Sequence, residues 1–293
     1  MTEQRERLYS PKKIKQVMKS AGIDFNKRLG QNFLMDGNIV RKIADSADIG
    51  PEDVVLEIGP GIGTMTEELL LRAKKVIAVE IDDRLIPVLQ ETLRDFDHFR
   101  LVHADAMQLD FRALFAREAP GERIKLVANL PYYITTPLLQ RFMEEELPID
   151  SCTVMVQKEV AERILAEPST KEYGSLTLFI ACFMEASLAL RAPKEVFMPQ
   201  PKVDSMVVHL KRRMPSNGVD VARLTQLIQV CFQQRRKTVA NSLSQAAGVD
   251  KKRLSRLLQE CAVSGSARAE NLTLADFVRI AQRLDAEARQ RDV

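Results

Sequence analysis

Short apolar runs alternate with amphipathic segments through the first two-thirds of the chain. The runs that read as strands are VVLEIG (54–59), KVIAVEID (75–82), FRLVHADA (99–106), IKLVANL (124–130) and CTVMVQ (152–157). The segments that follow them, such as TPLLQRFMEEEL and KEVAERILAE, have the apolar spacing of helices. Nearly continuous apolar strands separated by helices are typical of a parallel sheet with helices on both faces. The pattern therefore predicts a doubly wound α/β sheet.

The pattern changes after residue 186. ASLALRA and DSMVVHLKR read as two strands joined by the proline-rich EVFMPQPKV, and we expect an antiparallel pair at the sheet edge. From residue 215 onwards the strand signals end, and the apolar positions follow helical spacing. MPSNG (214–218) has the composition of a linker. We therefore predict an α/β domain with an N-terminal arm over residues 1–213 and a smaller all-helical domain over residues 214–293.

A glycine-rich segment, LEIGPGIGT, joins the first predicted strand to a helix. Gly59, Gly61 and Gly63 let the backbone turn tightly and approach a ligand without a Cβ clash. A dinucleotide fingerprint requires a further glycine at the position of Thr64. This departure argues against NAD and favours an adenosyl ligand that lacks a pyrophosphate.

Two acidic residues stand at the ends of the next two predicted strands. Glu80 is placed to accept hydrogen bonds from both ribose hydroxyls, and Asp105 is placed to accept one from an adenine amine. Taken singly, each acid is more often a solvated strand-end residue than a ligand-binding one. Suitable groups at three consecutive strand ends favour a nucleoside site, because ligands of such sheets bind at the carboxyl ends of the strands.

The fourth predicted strand ends in ANLPYY. The side-chain oxygen of Asn129 and the carbonyl of Leu130, left free by the rigid Pro131, could together hold an exocyclic amine. Tyr132 could stack on the base that carries this amine, and Phe197 on its opposite face. The alternative is that Tyr132 and Phe197 are core aromatics and that Pro131 ends the strand.

Composition narrows the class of protein. The chain has 293 residues, 45% of them hydrophobic and 28% charged, as in ordinary globular proteins. No apolar run approaches the roughly 20 residues that span a bilayer, and the N-terminus lacks the apolar core of a secretory signal. Four scattered cysteines and three histidines indicate neither a disulfide framework nor a zinc site. We expect a cytoplasmic protein without a metal.

Charge is unevenly distributed along the chain. Residues 211–293 carry a net charge of +8 and residues 1–30 one of +5, whereas residues 31–210 carry −10. An acidic centre between basic ends is consistent with a catalytic body that has polyanion-binding edges, or simply with solvated helical faces.

Together these motifs resemble a known family, the adenosylmethionine-dependent ribosomal RNA adenine dimethyltransferases. The resemblance covers essentially the whole chain and rests on RLGQNFL, EIGPGIGTMT, VEID, ADA, NLPYYITTPLL, QKEVAERI, YGSL, FMPQPKVDS and QQRRKTVANSL. GPGIG, NLPY and RRKT favour the bacterial small-subunit branch, linked to kasugamycin sensitivity, over the large-subunit branch that confers macrolide resistance. Tyr133 departs from the family pattern, since many members have Asn there. The resemblance implies a Rossmann-like class I methyltransferase sheet.

The resemblance also implies roles for individual residues. Those expected to bind S-adenosylmethionine are Gln31, Asn32, Leu34, Gly59, Gly61, Glu80, Ile81, Asp105, Ala106 and Asn129. Gly59 and Gly61 would face its methionine end, Glu80 its ribose, and Asp105 with the Ala106 backbone its adenine. Residues expected to contact RNA are Lys27, Arg28, Arg235, Arg236 and Lys237.

The function that the resemblance implies is dimethylation of two adjacent adenines near the 3′ end of small-subunit ribosomal RNA. The expected partner is the assembling small subunit, and we expect a monomer that does not bind membranes. The alternatives are a methyltransferase of the large-subunit, resistance type and a non-catalytic RNA-binding assembly factor.

Overall fold

The computed structural model describes residues 7–22, 31–213, 219–234, 236–247 and 250–291. The strands in this part of the chain are β1 (Phe33–Leu34), β2 (Val54–Ile58), β3 (Lys75–Glu80), β4 (Phe99–His103), β5 (Ile124–Asn129), β6 (Ile149–Gln157), β7 (Met184–Ala192), β8 (Phe197–Met198) and β9 (Ser205–Arg212). The α-helices are α1 (Pro11–Ser20), α2 (Gly37–Ser46), α3 (Thr64–Leu70), α4 (Ile86–Thr92), α5 (Phe111–Glu118), α6 (Thr135–Glu144), α7 (Lys158–Ile164), α8 (Ser175–Phe183), α9 (Val221–Phe232), α10 (Val239–Ala247), α11 (Lys251–Glu260) and α12 (Leu274–Arg291).

Seven of the described strands form one sheet in the order β4-β3-β2-β5-β6-β9-β7. The first five strands in this order, β4, β3, β2, β5 and β6, pair in parallel with their neighbours. β9 runs antiparallel to β6. The predicted parallel sheet with helical crossovers is confirmed, and the two predicted strands ASLALRA and DSMVVHLKR lie next to each other at its edge as β7 and β9. Because β2, β3 and β5 are parallel, their last residues, Ile58, Glu80 and Asn129, lie at the same edge of the sheet.

The sheet is buried because helices cover its apolar strands. All five residues of β2 are buried, and so are all residues of β3 after Lys75. α2 contributes Val40, Ile43 and Ala44 to a core that also contains Val55 and Val76 of the sheet. Such burial is the main stabilising term for a domain of this kind.

A second, two-stranded sheet was not predicted. Phe33 of β1 pairs with Met198 of β8, and Leu34 pairs with Phe197, in antiparallel register. The segment after residue 30 is thereby attached to the proline-rich loop, 163 positions away. Pattern reasoning missed this pair because two residues carry no periodicity.

Contacts divide the chain into two compact units, which contain residues 1–161 with 187–211 and residues 162–186 with 212–293. This division differs from the predicted boundary at residue 213, because residues of α8 pack with the C-terminal helices. Leu178 and Cys182 of α8 share one buried cluster with Leu224, Ile228 and others. Every residue of the candidate site belongs to the first unit. Among the described residues, no helix has the length and apolar character needed to cross a membrane.

Candidate active site

A cleft of about 970 Å³, open solvent at its mouth included, lies at the carboxyl edge of the sheet in the first unit. The predicted site residues that line it are Gln31, Asn32, Leu34, Gly59, Gly61, Glu80, Ile81, Asp105, Ala106, Asn129, Leu130, Pro131 and Tyr132. The structure therefore brings together all the predicted cofactor residues and four of the five predicted catalytic ones.

The glycine loop after β2 turns through left-handed backbone conformations. Gly59 has a φ of 69° and Gly61 one of 62°, which L side chains rarely adopt. A Cβ on Gly61 would also lie 2.6 Å from Cε1 of Phe33, so this glycine is needed for the close approach of β1 as well as for the turn. The loop thus joins two walls of the cleft.

Glu80, the last residue of β3, is held by backbone donors. Its Oε1 accepts hydrogen bonds from the N–H groups of Ile81 (2.9 Å) and Asp82 (2.8 Å), and its Oε2 accepts one from Gly61 (3.3 Å). Burial raises the pKa of the Glu80 carboxyl, against the effect of these three donors. The carboxylate is therefore oriented before any ligand arrives.

Asp82 attaches the segment before β1 to the end of β3. Its Oδ2 accepts a 2.7 Å hydrogen bond from Nε2 of Gln31, and Arg84 donates to both carboxylate oxygens. The Arg84 guanidinium lowers the pKa of the Asp82 carboxyl, which keeps it charged. Gln31 is in this way fixed at the wall of the cleft. The sequence analysis did not single out Asp82.

Glu57 is a second acid of the cleft that the sequence analysis missed. It lies within β2, is 1% exposed, and its Oε2 has no hydrogen-bond partner among the described residues. Burial raises its pKa to about 8, opposed by the hydroxyl of Thr66 and reinforced by the nearby Glu80. The signal was available, because a charged residue within a buried apolar strand is unusual.

The loop after β4 is a tight turn built on Asp105. Asp105 Oδ1 accepts a 2.8 Å hydrogen bond from the N–H of Met107, and the Asp105 carbonyl accepts bonds of 3.0 Å from Gln108 and Leu109. The other carboxylate oxygen of Asp105, Oδ2, accepts none of these bonds. The neighbouring Ala106 is buried and lines the same cleft.

Asn129 is the last residue of β5, and its side chain is oriented by the segment before β1. Its Nδ2 donates a 3.0 Å hydrogen bond to the carbonyl of Asn32. This bond engages the donor end of the amide. The turn that follows is closed by two bonds to the carbonyl of Pro131, from the N–H of Ile134 (3.1 Å) and the hydroxyl of Thr135 (3.2 Å).

Three aromatic residues have different surroundings. Tyr132 is half-buried, its hydroxyl lies 3.0 Å from Oγ of Ser205, and burial raises the pKa of its phenol. Tyr133 is 56% exposed on the wall of the cleft, and burial, followed by the charges of Asp105 and Glu80, raises the pKa of its phenol. Phe197 is 2% exposed and belongs to the apolar core instead of the cleft lining. The structure thus does not bring Phe197 to the position that stacking on a base requires.

Comparison with known proteins identifies the family. Residues 22–286 match the sequence model described as "Ribosomal RNA adenine dimethylase". The chain belongs to the ribosomal RNA adenine dimethylase family. The predicted family, the enzyme class and S-adenosylmethionine as the cofactor are thereby confirmed.

Relatives and solved structures agree with this assignment. The chain is 42% identical over 290 residues to the Ribosomal RNA small subunit methyltransferase A of Ligilactobacillus salivarius, covering 97% of this chain and 98% of that protein. It is 44% identical over 294 residues to the protein of the same name in Enterococcus faecalis, with coverage of 97% and 98%.

Among crystal structures, a dimethyladenosine transferase from Plasmodium falciparum has a TM-score of 0.76 at 27% identity, covering 87% of this chain and 98% of that one. The 23S rRNA methyltransferase ErmE has a TM-score of 0.69 at 29% identity, with coverage of 87% and 100%. Both are similar over most of the chain, as expected for a dimethylase with the Rossmann-like fold.

The residues predicted to contact RNA are only partly within the described chain. In this dimethylase Arg236 and Lys237 are exposed in the second unit, between α9 and α10. The N–H of Lys237 donates a 2.9 Å bond to the carbonyl of Gln234, which closes the turn. Lys27, Arg28 and Arg235 lie outside the described residues.

Proposed function

We propose that this adenine dimethylase transfers two methyl groups to the exocyclic amine of each of two adjacent adenines near the 3′ end of small-subunit ribosomal RNA. The observation that carries the proposal is the orientation of Asn129. Its amide nitrogen is engaged by the carbonyl of Asn32, which leaves the side-chain oxygen as the acceptor for an amine in the cleft. An oriented acceptor at the end of β5, beside an adenosyl-binding cleft, fits the chemistry of N-methylation.

The residues of the cleft fit S-adenosylmethionine. The unpartnered Oε2 of the buried Glu57 suits the α-ammonium group, since a buried carboxylate oxygen needs a donor or a cation. Gly59 and Gly61 have no Cβ to obstruct the methionine portion. The oriented carboxylate of Glu80 suits the ribose hydroxyls, and Asp105 with the Ala106 N–H suits the adenine. When bound, the cofactor supplies a methyl group already activated on a sulfonium.

Asn129 and Leu130 polarise the incoming amine. An adenine amine is a poor nucleophile because its lone pair is delocalised into the ring. Acceptors at the Asn129 side chain and the Leu130 carbonyl favour a tetrahedral nitrogen and stabilise the positive charge that develops on it. The nitrogen becomes strongly acidic after transfer, so water can remove the proton and no strong general base is required. Positioning supplies much of the rate.

Tyr132 is proposed to hold the target base by stacking. Its hydroxyl is anchored to Ser205, so the ring has one preferred orientation next to Asn129. Base–aromatic stacking contributes about 1–3 kcal/mol. Phe197, being buried, does not share this task.

RNA affinity is proposed to come mainly from phosphate neutralisation by basic residues at the two ends of the chain. Arg236 and Lys237 are exposed in the second unit, whose part of the sequence carries most of the C-terminal excess of positive charge. Contacts of this kind depend strongly on salt concentration. We further propose that the enzyme is monomeric and cytoplasmic.

The small-subunit branch is preferred to the large-subunit branch because the chain has the higher sequence identity to small-subunit relatives. Relatives named as small-subunit methyltransferases are 42% to 44% identical, whereas the 23S rRNA methyltransferase is 29% identical. A non-catalytic factor is disfavoured by the oriented Glu80, Asp105 and Asn129, which binding to RNA alone does not require.

The experiment is methyl transfer from labelled S-adenosylmethionine to ribosomal subunits isolated from cells that lack the modification. We expect dimethyladenosine in digests of small-subunit RNA, and none from large subunits. Label only in large-subunit RNA would indicate the resistance-type activity. Absence of label with cofactor still bound would support the assembly-factor alternative.

A further inference from the structure

Arg141 of α6 connects the loop after β4 to the helix that follows the NLPYY segment. Its Nη1 donates a 2.8 Å hydrogen bond to the carbonyl of Ala106, and its Nη2 donates a 2.6 Å bond to the carbonyl of Leu109. One guanidinium thus engages both ends of the turn that Asp105 begins. No motif in the sequence singled out Arg141.

The guanidinium is itself held in place by its neighbours. Its Nε pairs with Glu145 one turn further along the helix, and its centre lies 5.2 Å from the ring centroid of Phe111. The Arg141 side chain is 20% exposed. A planar fork fixed in this way can hold two carbonyls at a defined separation, which a lysine ammonium cannot do.

The loop that Arg141 holds carries the groups proposed to recognise the adenine of the cofactor. The Asp105 carboxylate keeps one oxygen outside the turn, and Ala106 lines the cleft. The turn is connected to the sheet through the N–H of Ala104, which donates a 2.9 Å bond to the carbonyl of Glu80. On its other side it is anchored by Arg141.

α6 also begins at Thr135, directly after the segment that contains Asn129 and Tyr132. A helix of 10 residues is a rigid element, so the Asp105–Leu109 turn and the NLPYY segment are both attached to one rigid helix. Small displacements of a binding loop from its productive geometry weaken recognition strongly.

We propose that Arg141 is a positioning residue for adenine recognition: it fixes the Asp105–Leu109 turn so that Asp105 and the Ala106 N–H meet the adenine of S-adenosylmethionine. This inference rests on the proposed function of the cleft. The inference predicts that replacing Arg141 weakens the binding of a ligand that carries the exocyclic amine more than the binding of a ligand that lacks it. If Arg141 only stabilised the fold, its replacement would weaken the binding of both ligands alike.

The test compares two ligands by calorimetry, S-adenosylhomocysteine and S-inosylhomocysteine, which lacks that amine. We expect the parent enzyme to prefer the adenosyl ligand by at least about tenfold, since a site built to hydrogen-bond a group rejects an analogue without it. Arg141→Met should reduce this preference about three- to tenfold, chiefly by weakening the adenosyl ligand. Arg141→Lys retains the charge but not the fork, and it should show an intermediate loss.

Glu144→Gln is the matched control. Glu144 is an exposed acid of the same helix and holds neither carbonyl of the turn, so the ligand preference should stay at the parent value. If Arg141→Met does not fold, Arg141→Lys serves in its place. Equal weakening of both ligands, or no change in either, would overturn the inference. A parent enzyme that binds neither ligand would contradict the proposed function itself, and the inference with it.

Discussion

The side-chain amide of Asn129 donates a 3.0 Å hydrogen bond to the backbone carbonyl of Asn32, across 97 positions of sequence. The bond determines which end of the amide faces the cleft. Because the acceptor is a backbone group, the orientation does not depend on the side chain at position 32. The segment before β1 therefore orients a side chain that β5 supplies to the cleft.

Asn129→Ala should reduce kcat about 100- to 1000-fold, the usual cost of removing one oriented group that stabilises transition-state charge. S-adenosylhomocysteine should still bind within a few-fold of its parent affinity, because Glu80 and Asp105 are untouched. Rates of label transfer and calorimetric Kd values measure the two effects separately. Loss of both together would contradict the role assigned to Asn129.

Tyr132→Phe should retain kcat/KM for RNA within a few-fold, since the ring remains and only the bond to Ser205 is lost. Tyr132→Ala should lower it about 10- to 100-fold, in line with the contribution of base stacking. Steady-state kinetics with RNA as the varied substrate gives both values. Equal losses in the two variants would show that the hydroxyl, and not the ring, is the functional group.

Cofactor binding should depend on pH through Glu57. Burial raises the pKa of this carboxyl to about 8, and a bound ammonium group favours its charged form, so binding releases a proton. Affinity for S-adenosylhomocysteine should rise by up to about tenfold per pH unit below pH 8. Calorimetry between pH 6 and pH 8 checks this, and Glu57→Gln should flatten the profile. An unchanged slope in that variant would exclude Glu57 as the titrating group.

The same group should affect the stability of the free protein in the opposite direction. The unfolded carboxyl ionises near its ordinary pKa of 4.5, whereas the folded one keeps its proton until about pH 8. Stability contributed by this group is thus lost as the pH rises through that window. Glu57→Gln should gain stability relative to the parent between pH 5 and pH 8 in denaturant titrations.

Gly61→Ala should impair both stability and cofactor binding. Its φ of 62° alone costs about 1–2 kcal/mol for a residue with a Cβ, and the new methyl group would press on the ring of Phe33. Gly121→Ala is the matched control, because Gly121 has a φ of 76° and nothing within 4 Å of the added Cβ. Gly61→Ala should be the more destabilising in denaturant titrations, and it alone should weaken S-adenosylhomocysteine. Equal effects would show that the contact with Phe33 is unimportant.

RNA binding should lose part of its salt dependence when Arg236 and Lys237 are both replaced by Gln. Each phosphate contact adds about 0.7–0.9 to the slope of log K against log salt, so the slope should fall by about 1.5. Arg283→Gln is a suitable control, because Arg283 is paired with Glu260 at 2.6 Å. Filter binding at several salt concentrations gives the slopes. A slope unchanged by the double substitution would show that Arg236 and Lys237 are solvated surface residues that do not contact RNA phosphates.

Much of the fold and of the cleft could be predicted from local patterns. Apolar strands alternating with helices imply a parallel sheet, and parallel strands must bring their carboxyl ends to one edge. Glu80, Asp105 and Asn129 could therefore be placed together without any tertiary information. The glycines could be assigned to a tight turn because few other residues tolerate a positive φ.

Only the tertiary structure decided how those groups are oriented and which other residues assist them. Three contacts join segments that are far apart in sequence. They are the hydrogen bond from Asn129 to Asn32, the close approach of Phe33 to Gly61, and the hydrogen bonds from Arg141 to the Asp105–Leu109 turn. Phe197 satisfied the same pattern as a stacking residue, yet its pairing with Leu34 buries it. Sequence periodicity reports which face of an element is apolar, whereas the packing of elements determines which side chains of that face meet a ligand.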